Sequence, residues 1–199
     1  WSKKYPEKRA ADLKSAFLDD SVSGIICAIG GDDTFRTIPY LMEDEEFIAA
    51  VQNNPKFFLG FSDTTVNHFM FYKLGLQTFY GQSFISDLAE MSDEMLPYTK
   101  NAFSECFSAY SGRKIVSSEV WYEERNDFSE ASVGIDHKSH KETRGFELLQ
   151  GNPVFSGELI GGCIESMYDM LSGERYEEES GIISKYDIFP QPEQWKGKI

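Results

Sequence analysis

The chain has 199 residues, 41% of them hydrophobic, enough for a sizeable buried core and for one domain or slightly more. Its 19 basic and 33 acidic residues leave a net charge of −14 with no lysine or arginine stripe, which makes a nucleic-acid backbone or an anionic membrane a poor partner. Cys27, Cys106 and Cys163 lie far apart without a C-x-x-C pair and read as reduced, buried thiols; no apolar run approaches the roughly 20 residues that span a bilayer, so the expected location is cytoplasmic.

Residues 8–18, "KRAADLKSAFL", carry apolar side chains at helical spacing and predict a helix, and "SGIICAIGG" predicts a short buried strand ended by glycines. "DDTFRTIPYLM" and "DEEFIAAVQ" predict short helices. A second buried strand, "KFFLGF", then leads into a helix, "TTVNHFMFYKLG", closed by Gly75. Alternating helices and strands predict an α/β fold with a mostly parallel sheet and flanking helices.

Beyond "LQTFYG", residues 92–110 have a helical pattern and "RKIVSSEVWY" resembles a strand running into a loop. Residues 123–145 are too polar to hold a period and predict a long surface loop or an irregular hairpin. "GELIGGCIESMYDMLSG" reads as strand, glycine turn and helix, and the acidic "ERYEEESG" as a solvated connector. The expected organisation is an N-terminal α/β domain over 1–115, a polar loop or hairpin region over 116–150, and a crossover into a second α/β domain over 151–199.

Ser62 follows an apolar strand and precedes Asp63, Thr64 and Thr65. A tight strand-to-helix turn would lift its hydroxyl onto the carboxyl edge of the sheet, where open parallel sheets place their ligands, and would aim the Asp63 N–H at a developing oxyanion. The other local reading is that Ser62 or Asp63 caps the following helix. The turn "AIGGDDTFR" has two readings as well: a cradle for an anion built on Gly31 and its neighbours, or a plain turn capped by Asp32 or Asp33. It lacks both the Lys-Ser/Thr of a phosphate loop and a G-x-G-x-x-G.

Three histidines are available to serve a serine nucleophile. His68 has Phe69, Met70 and Phe71 as neighbours and reads as a helix-packing residue. His137 and His140, in "DHKSH", could hold a metal with Asp136 but read as solvated loop residues. Trp121 and Tyr122 precede the polar stretch and could stack on a planar group or simply pack.

Taken together, "GIICAIGGDDTFRTIPYL", "FLGFSDTTVNHFMFYKLGLQTFYGQ" and "GELIGGCIESMYDMLSG" resemble three successive signatures of the LD-carboxypeptidase family of serine peptidases, in the family's order. The Gly-Gly-Asp-Asp-Thr-Phe-Arg form and the Trp-bearing segment resemble the branch of microcin C self-immunity peptidases more than the murein-peptide branch. The resemblance implies an acyl-enzyme on Ser62, with the Asp63 N–H as one oxyanion donor and an amide at Gly31, near Asp32, as the other. It implies substrate contacts from Asp32 and Trp121, and neither a metal nor an organic cofactor. It implies a homodimer that cleaves an amide in a small peptide or a peptidyl or aminoacyl nucleotide.

The family's glutamate and histidine are expected beyond Ile199, so neither role is carried onto a residue here, and the 199 residues by themselves are expected to be inactive. The family's first strand, with its Gly-Asp start, is expected to precede Trp1. Two further readings belong to other classes: a non-catalytic ligand-binding or structural α/β protein with an incomplete triad, and an unrelated serine esterase.

Overall fold

A computed structural model describes residues 4–108, 114–154 and 156–198. They divide into two units, one of residues up to Ser83 together with those from Gly157 onward, the other Phe84–Ser156.

In the first unit, helix α1 (Pro6–Leu18) starts with Pro6 in its first turn, where a missing N–H costs nothing, and buries Ala10 and Phe17. Strand β1 (Gly24–Ile26) follows, and a 3₁₀ turn (Thr34–Thr37) runs into helix α2 (Ile38–Met42). Helix α3 (Glu45–Asn53) is capped by Asp44, whose carboxylate accepts from the Phe47 N–H at 2.9 Å. Strand β2 (Phe57–Gly60), helix α4 (Thr65–Leu74) and strand β3 (Phe79–Tyr80) complete this stretch. Gly75 ends α4 in the left-handed conformation at φ 85°, as the sequence predicts.

The strands form a sheet in the order β1-β2-β3, parallel throughout, with Gly24 opposite Phe57 and Leu59 opposite Phe79. This is the α/β architecture expected from the alternation of elements. Helix α4 is buried almost all round, from Thr65 through Phe71, because its apolar residues are not confined to one face. The core beneath it is aromatic: the Phe58 and Phe71 rings lie 4.8 Å apart, Phe17 and Phe71 5.4 Å, and Phe17 meets Phe47 edge-on at 5.6 Å.

The chain returns to this unit with helix α6 (Ile164–Ser172), helix α7 (Glu177–Lys185) and the short helix α8 (Pro192–Trp195). This part of the chain departs from the sequence pattern at two places. The "GELI" segment makes one isolated parallel bridge, Glu158 with Lys198, rather than a strand. The "ERYEEESG" segment is not a solvated connector, because it opens α7 and Glu179 is fully buried. The acidic side chains of Glu177, Glu178 and Glu179 occupy the first turn of α7, where the helix dipole favours negative charge.

The second unit holds helix α5 (Pro97–Glu105) and an antiparallel hairpin of β4 (Val120–Tyr122) and β5 (Ser139–Lys141). The polar stretch is thus an irregular hairpin. Strand β4 is shorter than "RKIVSSEVWY" suggests, because the Ser118 hydroxyl donates to the Val120 carbonyl at 2.6 Å and accepts from its N–H at 3.2 Å, competing with ladder pairing. Arg113 and residues 109–110 of the expected helix lie outside the described residues. The three cysteines are free and half-buried rather than fully buried, and burial pushes the Cys27 thiol up to about 12.

Candidate active site

Strand β2 delivers the chain to a sharp turn. Phe61 is extended, Ser62 adopts φ 58°, and a 3₁₀ turn (Ser62–Thr64) leads directly into α4. Among the described residues only Ser62 and Asp187 are non-glycines with positive φ. Such a conformation costs roughly 1–2 kcal/mol for a residue with a Cβ, so it persists only where its surroundings impose it. Here the Ser62 N–H donates to the Tyr80 hydroxyl at 2.9 Å, and the Ser62 carbonyl accepts from the Thr65 hydroxyl at 2.7 Å. Neither Ser62 nor Asp63 caps the helix, since no side-chain cap bond forms at either the 3₁₀ turn or α4.

Glycines let neighbouring backbone close on this turn. A Cβ on Gly30 would lie 2.8 Å from the Ser62 Cβ and 3.0 Å from its Oγ, so only glycine allows that approach. A Cβ on Gly162 would lie 2.5 Å from the Thr65 side chain, whose hydroxyl accepts from the Cys163 N–H at 3.0 Å. The three segments singled out in the sequence therefore meet at the start of α4.

Asp63 is fully buried and links two of these turns: its Oδ2 accepts from the Thr34 N–H at 2.8 Å. Gly31 stands beside the same oxygen, its Cβ position 3.7 Å away. Arg175 Nη2 lies 3.0 Å from Asp63 Oδ1 as an ion pair without hydrogen-bond alignment. The same guanidinium grips Glu179 with two bonds, at 2.6 and 3.1 Å, and approaches Asp169 at 3.4 Å. Burial works against the charge on Arg175, but the carboxylates of Glu179, Asp63 and Asp169 outweigh it and raise its pKa. Burial also raises the pKa of Glu179, with Arg175 opposing. The neighbouring Tyr176 hydroxyl donates to Asp32 Oδ2 at 2.7 Å, and Asp33 pairs with Arg9 at 2.8 Å.

His68 packs within the fold as expected of a helix-packing residue, more deeply than the half-burial its neighbours suggest, and is turned away from a role at Ser62. Its Nε2 faces the Gly60 carbonyl at 3.1 Å and its Nδ1 the Thr78 hydroxyl at 2.7 Å, which fixes the proton on Nε2. Burial lowers its pKa to about 4, so the ring is neutral. Among the described residues no side chain hydrogen-bonds to Ser62 Oγ.

In the second unit, His137 and His140 are engaged rather than solvated. His137 Nε2 faces Glu90 Oε2 at 3.0 Å and Nδ1 the Glu123 carbonyl at 2.9 Å. His140 bonds Glu123 at 2.7 Å and stacks on Trp121, ring centroids 4.3 Å apart. Trp121, opposite His140 across the hairpin, remains 48% exposed, so ring surface is still open to solvent.

The structure thus gathers Ser62, Asp63, Gly31 and Asp32 at one place in the first unit. Sequence reasoning did not find Tyr80, Thr34, Arg175 or Tyr176. Tyr80 lies inside the quoted "LQTFYG", but nothing local marks Arg175, whose partner Asp63 precedes it by more than a hundred residues.

Residues 2–81 match the family model described as the LD-carboxypeptidase N-terminal domain. A solved MccF-like protein from Streptococcus pneumoniae, in complex with AMP, is 48% identical, with a TM-score of 0.92 over 98% of this chain and 56% of its own. A Treponema pallidum protein whose assigned name is that of a carboxypeptidase is 31% identical over 86% of this chain and 46% of its own length. The microcin C7 self-immunity protein MccF of Escherichia coli is 26% identical over 84% of this chain and 47% of its own. The chain therefore spans about half the length of the relatives it matches.

Proposed function

Because this chain belongs to the LD-carboxypeptidase family, we propose that it supplies the nucleophile and oxyanion-binding turns of a serine hydrolase that cleaves an amide bond. The observation that carries this reading is Ser62 at φ 58°, with Gly30 packed against its hydroxyl. A serine on a left-handed strand-to-helix turn stands clear of its own backbone, and the amide that follows it faces the same space.

In this reading Ser62 Oγ attacks the amide carbonyl, forming a C–O bond as its proton passes to a base. The oxyanion is received by the Asp63 N–H and an amide at Gly31, at the positive end of α4. Collapse breaks the C–N bond as the base returns its proton to the leaving nitrogen, and water then hydrolyses the acyl-enzyme. His68 is neutral and already bonded at both nitrogens, so the base is another group.

The substrate we favour carries a nucleotide on one side of the amide, as in an aminoacyl sulfamoyl adenylate. The AMP held by the S. pneumoniae relative supports this. Asp32 is the substrate contact proposed in the first unit, and Trp121 the stacking residue proposed, separately, in the second. The homodimer and the cytoplasmic location belong to the same proposal. Among the described residues no helix is long and apolar enough to cross a membrane.

Incubating the full-length protein with an aminoacyl sulfamoyl adenylate and, separately, a murein tetrapeptide tests the reading. Cleavage of the first, abolished by Ser62→Ala, supports it, and release of D-alanine moves the substrate to the murein class. Turnover of simple esters alone favours an esterase. If neither amide is cleaved and Ser62→Ala changes nothing, the chain is better read as a binding module.

A further inference from the structure

Arg175 and Tyr176 are adjacent in the turn between α6 and α7, and each reaches a different turn of the candidate site. Arg175 pairs with Asp63, the residue after Ser62, while Tyr176 bonds Asp32, the residue after Gly31. The turn that carries them is specified locally: Gly173 ends α6 at φ 67°, and a Cβ there would lie 2.7 Å from the Ser180 hydroxyl. Arg175 is braced by the fully buried Glu179 one helical turn on, so its guanidinium has little freedom to leave Asp63.

We propose that Arg175 and Tyr176 are positioning residues that lock the Ser62–Asp63 turn and the Gly31–Asp32 turn into one oxyanion-binding arrangement. Neither touches the reacting atoms. The Asp63 side chain, held by Arg175 on one oxygen and the Thr34 N–H on the other, sets the orientation of its own peptide and hence of the N–H that would meet the oxyanion. Tyr176 acts on the opposite turn through Asp32. Donors preset in this way do their work without reorganising during the reaction, and displacement by about 1 Å can cost about 100-fold in rate. The inference rests on the proposed function and adds the residues that hold its geometry.

The test uses the full-length protein and a fluorophosphonate, which Ser62 attacks through Oγ with formation of an O–P bond, loss of fluoride and transfer of the hydroxyl proton to the base. Arg175→Met, Arg175→Lys and Tyr176→Phe are compared with the parent for the maximal labelling rate, the half-saturating probe concentration and exchange of the Thr34 amide proton. Arg175→Met is expected to lower the maximal rate about 10- to 100-fold with little change in half-saturation, and to speed Thr34 exchange. Arg175→Lys recovers part of the rate, and Tyr176→Phe shows a smaller loss of the same kind.

Parental labelling rates in both Arg175→Met and Tyr176→Phe would overturn the inference while leaving the nucleophile intact. If Arg175→Met does not fold, Tyr176→Phe, which removes one oxygen, decides alone. Equal labelling of the parent and Ser62→Ala, or no labelling of the parent, would overturn the proposed function and this inference with it.

Discussion

The Nε2 of His68 donates to the carbonyl oxygen of Gly60 at 3.1 Å, in the strand that ends one residue before the turn at Phe61 and Ser62. The histidine closest in sequence to Ser62 is therefore a brace for the strand beneath it. Its rings of contact, edge-on to Phe58 and tilted against Tyr80, both at 5.4 Å, are those of a packing residue.

A histidine held neutral in this way makes stability depend on pH. Its folded pKa of about 4 lies below the ordinary 6.5, so the unfolded chain binds the proton more readily. The stabilisation is complete above pH 6.5 and is lost as pH falls toward 4, by about 3 kcal/mol over that window. Urea midpoints measured from pH 7.5 to 4.5 are expected to fall more steeply for the parent than for His68→Gln.

Gly30→Ala is expected to disable the site. Its new methyl would sit 2.8 Å from the Ser62 Cβ, and both partners are held by backbone rather than by flexible side chains. The cost to stability is about 1–3 kcal/mol, and fluorophosphonate labelling of Ser62 should drop by more than the loss of folded protein explains.

Ser62→Gly and Ser62→Ala should both abolish turnover yet differ in stability. Glycine relieves the left-handed strain at φ 58° that alanine keeps. The glycine variant is expected to be more stable than the alanine variant by about 1 kcal/mol, the net of a strain of roughly 1–2 kcal/mol relieved and the extra freedom glycine gives the unfolded chain. Thermal melts of the two in parallel check this.

In the second unit Glu90 receives Arg125 at 3.2 Å, His137 at 3.0 Å and the Met91 N–H at 2.7 Å, with its side chain nearly buried. Burial opposes its charge, but the Ser92 and Met91 amides and His137 outweigh it and lower its pKa. Glu90→Gln is expected to cost about 2 kcal/mol, read as faster amide exchange in the β4–β5 hairpin. The contribution is present above the ordinary glutamate range and fades as pH falls through the depressed value.

Trp121→Ala in the full-length protein should raise KM about 10-fold for a nucleotide-bearing amide with little change in kcat, the size of a lost base–aromatic stack. An unchanged KM would remove Trp121 from the proposed substrate contacts.

The alternation of helix and strand up to Gly75 is legible in the sequence, because its signals are local: apolar runs of strand length, Asp44 opening "DEEFIAAVQ", and glycine at the end of α4. The sequence also marked Ser62, Gly31 and Asp32, through the composition of two turns. It misread "ERYEEESG" because acidic residues ordinarily face water, and nothing in their order reveals that Arg175 folds back onto Asp63 and carries Glu179 into the interior. Whether Ser62 caps the helix or stands on a left-handed turn is settled by contacts across the fold, since it lies in a backbone angle imposed by Tyr80, Thr65 and the closely packed Gly30. Those constraints act across the fold, between residues that the chain order keeps apart.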